Sequence, residues 1–143
     1  MMRLAAIALI GLTLATGSAR SAPFAPARTT WDSVYTVGQA ARGETAYVKS
    51  CARCHKESLG GADESPALAG GGFLGNWHGQ SLFALHDRIR TSMPTDDPET
   101  LSRQTVSDVM AYILKVNAFP AGTIELPVSA DSLKDISVRA AKP

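Results

Sequence analysis

The chain predicts an all-α fold with three to four main helices. Three observations carry this expectation. Separate segments place apolar residues at spacings near 3.6, no stretch alternates convincingly as a strand, and a glycine-rich loop divides the helical segments. The 143 residues fit one domain.

The first segment stands apart from that domain. "MMRLAAIALIGLTLATGSARSA" sets Arg3 ahead of an apolar run from Leu4 to Leu14, followed by small residues to Ala22. The run is too short to span a bilayer as a helix. Residues 1–22 read as a cleaved secretory signal, cut between Ala19 and Ala22, the alternative being a retained N-terminal anchor. Residues 23–35, with two prolines and no period, form an extended lead-in.

The main domain covers residues 36–117. Its first helix, "TVGQAARGETAYVKSC", opens on Thr36 with Gln39 placed for a capping box, and Ala40, Gly43, Tyr47 and Cys51 share one face. Glu57 to Trp77 reads as loop and holds six of the twelve glycines. A loop that long in a compact domain is expected to be functional or to wrap something. "SLFALHDRIRTS" predicts a short helix capped by Ser81, with Leu82, Leu85 and Ile89 on one face and His86 among polar neighbours. Pro94 and Pro98 break the chain. The last helix, capped by Ser102, places Val106, Val109, Met110, Ile113 and Leu114 on an apolar face that Tyr112 and Val116 widen. Residues 118–143 are a tail packing on the domain, with a short helical turn near Ala130–Lys134.

Composition excludes some functions. Without Arg3 and Arg20, 12 of the 14 Lys and Arg remain against 13 Asp and Glu, and nucleic-acid binding usually needs a basic surface. With the signal removed, no stable membrane span is expected.

The two cysteines, Cys51 and Cys54, stand three residues apart with His55 next, in "SCARCHKES". In an oxidising compartment two free thiols tend to pair, so the motif needs a purpose that survives there. Three chemistries compete. A thioredoxin-like dithiol calls for a βαβ setting, which is missing. Structural zinc needs four ligands, and adjacent Cys54 and His55 point awkwardly for one tetrahedron. The third is C-x-x-C-H as covalent haem attachment: the thiols reach two vinyl groups and the imidazole reaches the iron. Export, the absence of other cysteines and the glycine-rich loop favour it. For the sixth iron position the candidates are Met93, Met110, His78 and His86. Met110 sits on a helical core face, where Met usually fills space. Met93 lies in the loop sequence "SMP", braced by Pro94, and is the preferred ligand.

On these motifs the region from Thr36 to about Asn117 resembles a single-haem class I cytochrome c. "GETAYVKSCARCH", "SPALAG", "FLGNW" and "SMP" match the family pattern in order, and "VSDVMAYILKVNAFPAGTIELP" is similar to the C-terminal part of cytochromes c associated with quinoprotein (PQQ) dehydrogenases. The resemblance implies a cytochrome c fold around one covalent haem c, with Cys51, Cys54, His55, Pro66, Trp77 and Met93 as cofactor-binding residues. It implies His55 and Met93 as iron ligands, the Pro66 carbonyl facing His55, and Trp77 near a propionate unless it is plain core. It also implies that Gly43 and Tyr47 cross the last helix near Tyr112. His86 departs from the pattern, since relatives tend to carry a bulky aromatic there.

The expected function is one-electron transfer in the periplasm, with no catalytic residue and no enzyme activity. A dehydrogenase would be the donor, and an oxidase or another cytochrome the acceptor. The competing readings are a fixed electron-relay subunit of a dehydrogenase or oxidase complex, and an open-site haem enzyme or gas-binding module.

Overall fold

The computed structural model describes residues 28–142. The expected signal, residues 1–22, lies outside them. In chain order the elements are β1 (Arg28–Thr29), α1 (Val37–Ser50), α2 (Ala52–His55), α3 (Gly70–Trp77), α4 (Leu82–Ser92), α5 (Arg103–Val116), α6 (Ala130–Lys134) and β2 (Ile136–Ser137). The fold is all-α, with α1, α3, α4 and α5 as its main helices.

Local sequence explains most helix ends. The hydroxyls of Thr36, Ser81 and Ser102 accept from the backbone N–H of Gln39, Ala84 and Thr105, starting α1, α4 and α5. α1 and α5 form the central crossing, in backbone contact at Gly43, with the Tyr47 and Tyr112 rings 5.4 Å apart. The core runs from Ala40 and Tyr47 through Phe73, Leu82 and Leu85 to Val106, Met110, Ile113 and Leu114.

Several expectations need correction. The C-terminal half of the expected loop is a helix, α3. Each interior glycine costs about 1 kcal/mol against alanine, so tertiary contacts must hold it. Phe73 is fully buried and Trp77 stacks one turn later, with ring centroids 6.5 Å apart. At the other end, the Asn117 side-chain oxygen accepts from the Gly70 N–H at 2.9 Å, capping α3 from the end of α5.

Gln39 does not complete a capping box. Its side chain is buried and makes two hydrogen bonds to Leu126, donating to the carbonyl at 3.0 Å and accepting from the N–H at 2.7 Å. Val116 is 39% exposed and does not widen the core face. His86 is buried rather than set among polar neighbours, with Nε2 3.4 Å from the Arg103 carbonyl.

Two short strands also appear where none was expected. β1 pairs in parallel with β2, Arg28 opposite Ile136 and Thr29 opposite Ser137. They join the two ends of the described chain. Trp31 donates its indole N–H to the Arg139 carbonyl at 2.9 Å, and the Tyr35 hydroxyl donates to the Phe119 carbonyl at 2.7 Å. Beyond α5, Leu126, Leu133, Ile136 and Val138 are buried.

Candidate functional site

α1 delivers the cysteine motif. Its last turn ends at Cys51, whose N–H bonds the Tyr47 carbonyl at 2.8 Å. The chain then turns tightly, with the N–H groups of Cys54 and His55 both donating to the Cys51 carbonyl, at 3.1 and 3.0 Å. One turn thus presents Cys51 half-buried, Cys54 exposed and His55 buried. The Tyr47 hydroxyl, buried at the crossing with α5, donates to the Lys56 carbonyl at 2.7 Å and fixes the exit from that turn. Burial holds the Tyr47 phenol well above its usual range, so it remains a donor.

The loop after the motif folds back onto it. Gly61 donates to the His55 carbonyl at 3.0 Å and has φ +72°, a left-handed conformation that favours glycine. A Cβ there would stand 2.7 Å from the Pro66 carbonyl carbon. The close packing brings the Pro66 carbonyl oxygen to 2.8 Å from His55 Nδ1. A carbonyl only accepts, so Nδ1 carries the proton in this bond. In the neutral ring the lone pair is then on Nε2.

Burial pushes the Cys51 thiol up to about 11, with the neighbouring Cys54 adding to the shift. This is opposite to the lowered pKa of a reactive redox cysteine. Among the described residues no group of three or more His, Cys, Asp or Glu is placed to hold a metal ion, so the zinc alternative finds no donor set.

A cavity of about 320 Å³ opens beside this turn, the size of a small-molecule or cofactor site. Cys51, Cys54, His55, Pro66, Trp77 and Met93 all line it. Leu68, Leu85, Ile89, Val109 and Ile113 supply apolar wall from the loop, α4 and α5. Met93 follows the last turn of α4, its N–H bonded to the Ile89 carbonyl at 3.0 Å. The other sixth-ligand candidates do not line it. Met110 is fully buried in the core, His86 packs toward Arg103, and exposed His78 accepts from the Ala140 N–H at 3.1 Å. The cavity therefore combines two thiols, an oriented imidazole, one thioether and apolar walls, a donor set that fits a flat apolar cofactor with a metal centre.

A family model described as cytochrome c oxidase, cbb3-type, subunit III matches residues 38–113, more than half of the chain. The chain belongs to this family. Its cofactor is a haem c, covalently attached and carrying iron, and the chain is a c-type cytochrome acting in electron transfer. The matched stretch of this cytochrome includes all six candidate residues. Its fold is similar to that of the sulfane dehydrogenase SoxCD from Paracoccus pantotrophus, with a TM-score of 0.50 and 20% identity over 75% of this chain and 61% of that one. The chain thus spans about three-fifths of that protein's length, and the likeness concerns the fold alone. Comparison with curated proteins finds no match.

Sequence reasoning missed several residues around the cytochrome's cavity. Val109 and Ile113 were visible as an apolar face, but nothing in the period showed that they face the cavity. Arg53 and Asp96 form an ion pair at its rim, and Asn117 also donates to the Leu68 carbonyl at 3.0 Å, steadying the loop wall. These pairs join residues far apart in the chain and leave no local pattern.

Proposed function

We propose that the protein is a periplasmic one-electron carrier whose haem is held by thioether bonds from Cys51 and Cys54 and by axial ligation from His55 and Met93. One observation carries the reading: His55, with Nδ1 committed to Pro66, shares its cavity with Met93 and with no other methionine of the described residues. The hydrogen bond fixes the ring orientation and leaves the Nε2 lone pair available to hold the iron. Haem iron supplies the one-electron chemistry, and the protein supplies ligands, burial and geometry.

Each residue has a defined task. Cys51 and Cys54 would hold the macrocycle through thioether bonds, which are not reduced as a disulfide is. As a ligand, the Met93 thioether would favour the ferrous state over what a second imidazole would give. Trp77, which lines the cavity from the end of α3, would offer its indole N–H to a propionate. The apolar wall residues would pack against the haem and limit the access of water to the iron. With His55 and Met93 both holding the iron, the site would carry electrons and leave no position for substrate. A periplasmic dehydrogenase would be the donor, and an oxidase or another cytochrome the acceptor. No helix of the described residues is long and apolar enough to cross a membrane.

A second reading is a fixed relay subunit of a larger complex, favoured by the family's description as an oxidase subunit. Mass spectrometry of the acid-denatured protein tests the attachment. The haem mass should stay on the wild-type chain and be lost when Cys51 and Cys54 are both changed to alanine. Release of haem from the wild type would rule the thioether bonds out.

A further inference from the structure

The loop from Pro94 to Leu101 follows directly on Met93 and is weakly tied to the rest of the protein. Thr95 to Thr100 are all exposed. Its hydrogen bonds among the described residues are internal: Asp97 N–H to the Pro94 carbonyl at 3.0 Å, and the Thr100 hydroxyl to the Asp97 carbonyl at 2.8 Å. Pro94 at the cavity and Leu101 at the edge of the core supply its apolar contacts. One polar tie leaves the loop among the described residues, the ion pair of Asp96 with Arg53.

Arg53 is not an arbitrary partner. It stands between Cys51 and Cys54 on the turn that ends in His55, a turn held by the paired bonds to the Cys51 carbonyl. Arg53, Cys54, Met93 and Asp96 line the same cavity. The pair therefore connects the segment carrying the thiols and imidazole to the segment carrying the thioether, across the space between them.

We infer that the Arg53–Asp96 ion pair is a strap that keeps Met93 seated, so that both residues are positioning groups for the sixth ligand. The inference rests on the proposed ligation by Met93. Arg53 and Asp96 have side chains 61% and 55% exposed, and such a pair adds little to global stability. Its effect falls instead on local opening of the loop, which few other contacts oppose. Screening by salt should release the strap, because the Debye length falls from about 30 Å at 0.01 M to about 3 Å at 1 M.

The test uses the haem-loaded protein and the rate at which imidazole displaces the sixth ligand in the ferric state. Arg53→Gln, Asp96→Asn and the double variant should each raise the rate about two- to five-fold, the reach of one exposed ion pair. The double variant should match the singles. Raising ionic strength should bring the wild-type rate up to theirs while leaving the variants flat, and the charge swap Arg53→Asp with Asp96→Arg should restore the slow rate. The denaturation midpoint should stay unchanged throughout, which separates strap from scaffold. Unchanged rates in the variants, additive effects in the double variant, or a salt-independent wild type would overturn the strap while leaving Met93 ligation intact. Absence of the near-infrared sulfur-to-iron band in the wild type would overturn the ligation reading itself, and the strap with it.

Discussion

The carbonyl of Asp108 on α5 occupies the space where a Cβ on Gly43 of α1 would stand. The contact is backbone to side-chain position, so no rotamer change can relieve it. It explains why a helix accepts a glycine in its middle: the closest approach of α1 and α5 is set there, and Tyr47 and Tyr112 meet one turn further along.

Gly43→Ala should therefore destabilise the fold despite its better helix propensity. Overpacking of this kind costs about 1–3 kcal/mol, and a rigid backbone neighbour places it at the upper end. Gly38, in the same helix, has only the Thr36 hydroxyl at 4.0 Å from its missing Cβ. Gly38→Ala should leave stability unchanged or raise it by up to about 1 kcal/mol. Denaturant midpoints of the two variants check the contrast.

Gln39 should matter to the tail more than to its own helix. Gln39→Leu would leave the buried N–H and carbonyl of Leu126 without partners, at about 1–3 kcal/mol for each group. Hydrogen exchange should show the amide of Leu126 losing protection first.

Met93→Ala should abolish the near-infrared sulfur-to-iron band of the ferric protein and lower its reduction potential. Met110→Ala should keep the band and destabilise the fold by about 2–5 kcal/mol, since Met110 is fully buried away from the cavity. Rapid carbon monoxide binding by the wild-type ferrous protein would favour the open-site reading instead.

His86 should make stability fall in mild acid. Burial is the main influence lowering its pKa, with the Arg103 and Arg90 charges acting the same way, opposed by the Arg103 carbonyl and Asp87. The unfolded chain then binds a proton before the folded one does. The stability contributed by neutral His86 is fully present above the unfolded value of about 6.5 and is lost as pH falls through the lower folded value. Midpoints measured from pH 7.5 down to pH 5 should fall more steeply in the wild type than in His86→Phe.

Much of this cytochrome is legible without coordinates. The period of 3.6 located α1, α4 and α5 to within a residue at each end, because Thr36, Ser81 and Ser102 cap their own helices through bonds three residues long. The spacing of Cys51, Cys54 and His55 is equally local, one turn around a single carbonyl, and together with the expected export segment, the absence of other cysteines and the glycine-rich loop it pointed to haem attachment. α3 was missed because local propensity argues against it. Four glycines predict loop, and burial of Phe73 with a cap from Asn117 outweighs them.

By itself, then, the sequence determined the helical class and the caps and pointed to haem attachment at the cysteine motif, since the period, the caps and the motif's spacing all run along neighbouring stretches of chain. Only the tertiary structure decided that Met93 and His55 share a cavity that Met110 and His86 do not line. It alone decided that Gln39 holds Leu126 and that Arg53 meets Asp96. These outcomes depend on which faces are buried against one another once the helices cross. That crossing is set by close packing between residues distant in the chain, such as Gly43 and Asp108, which no short-range pattern encodes.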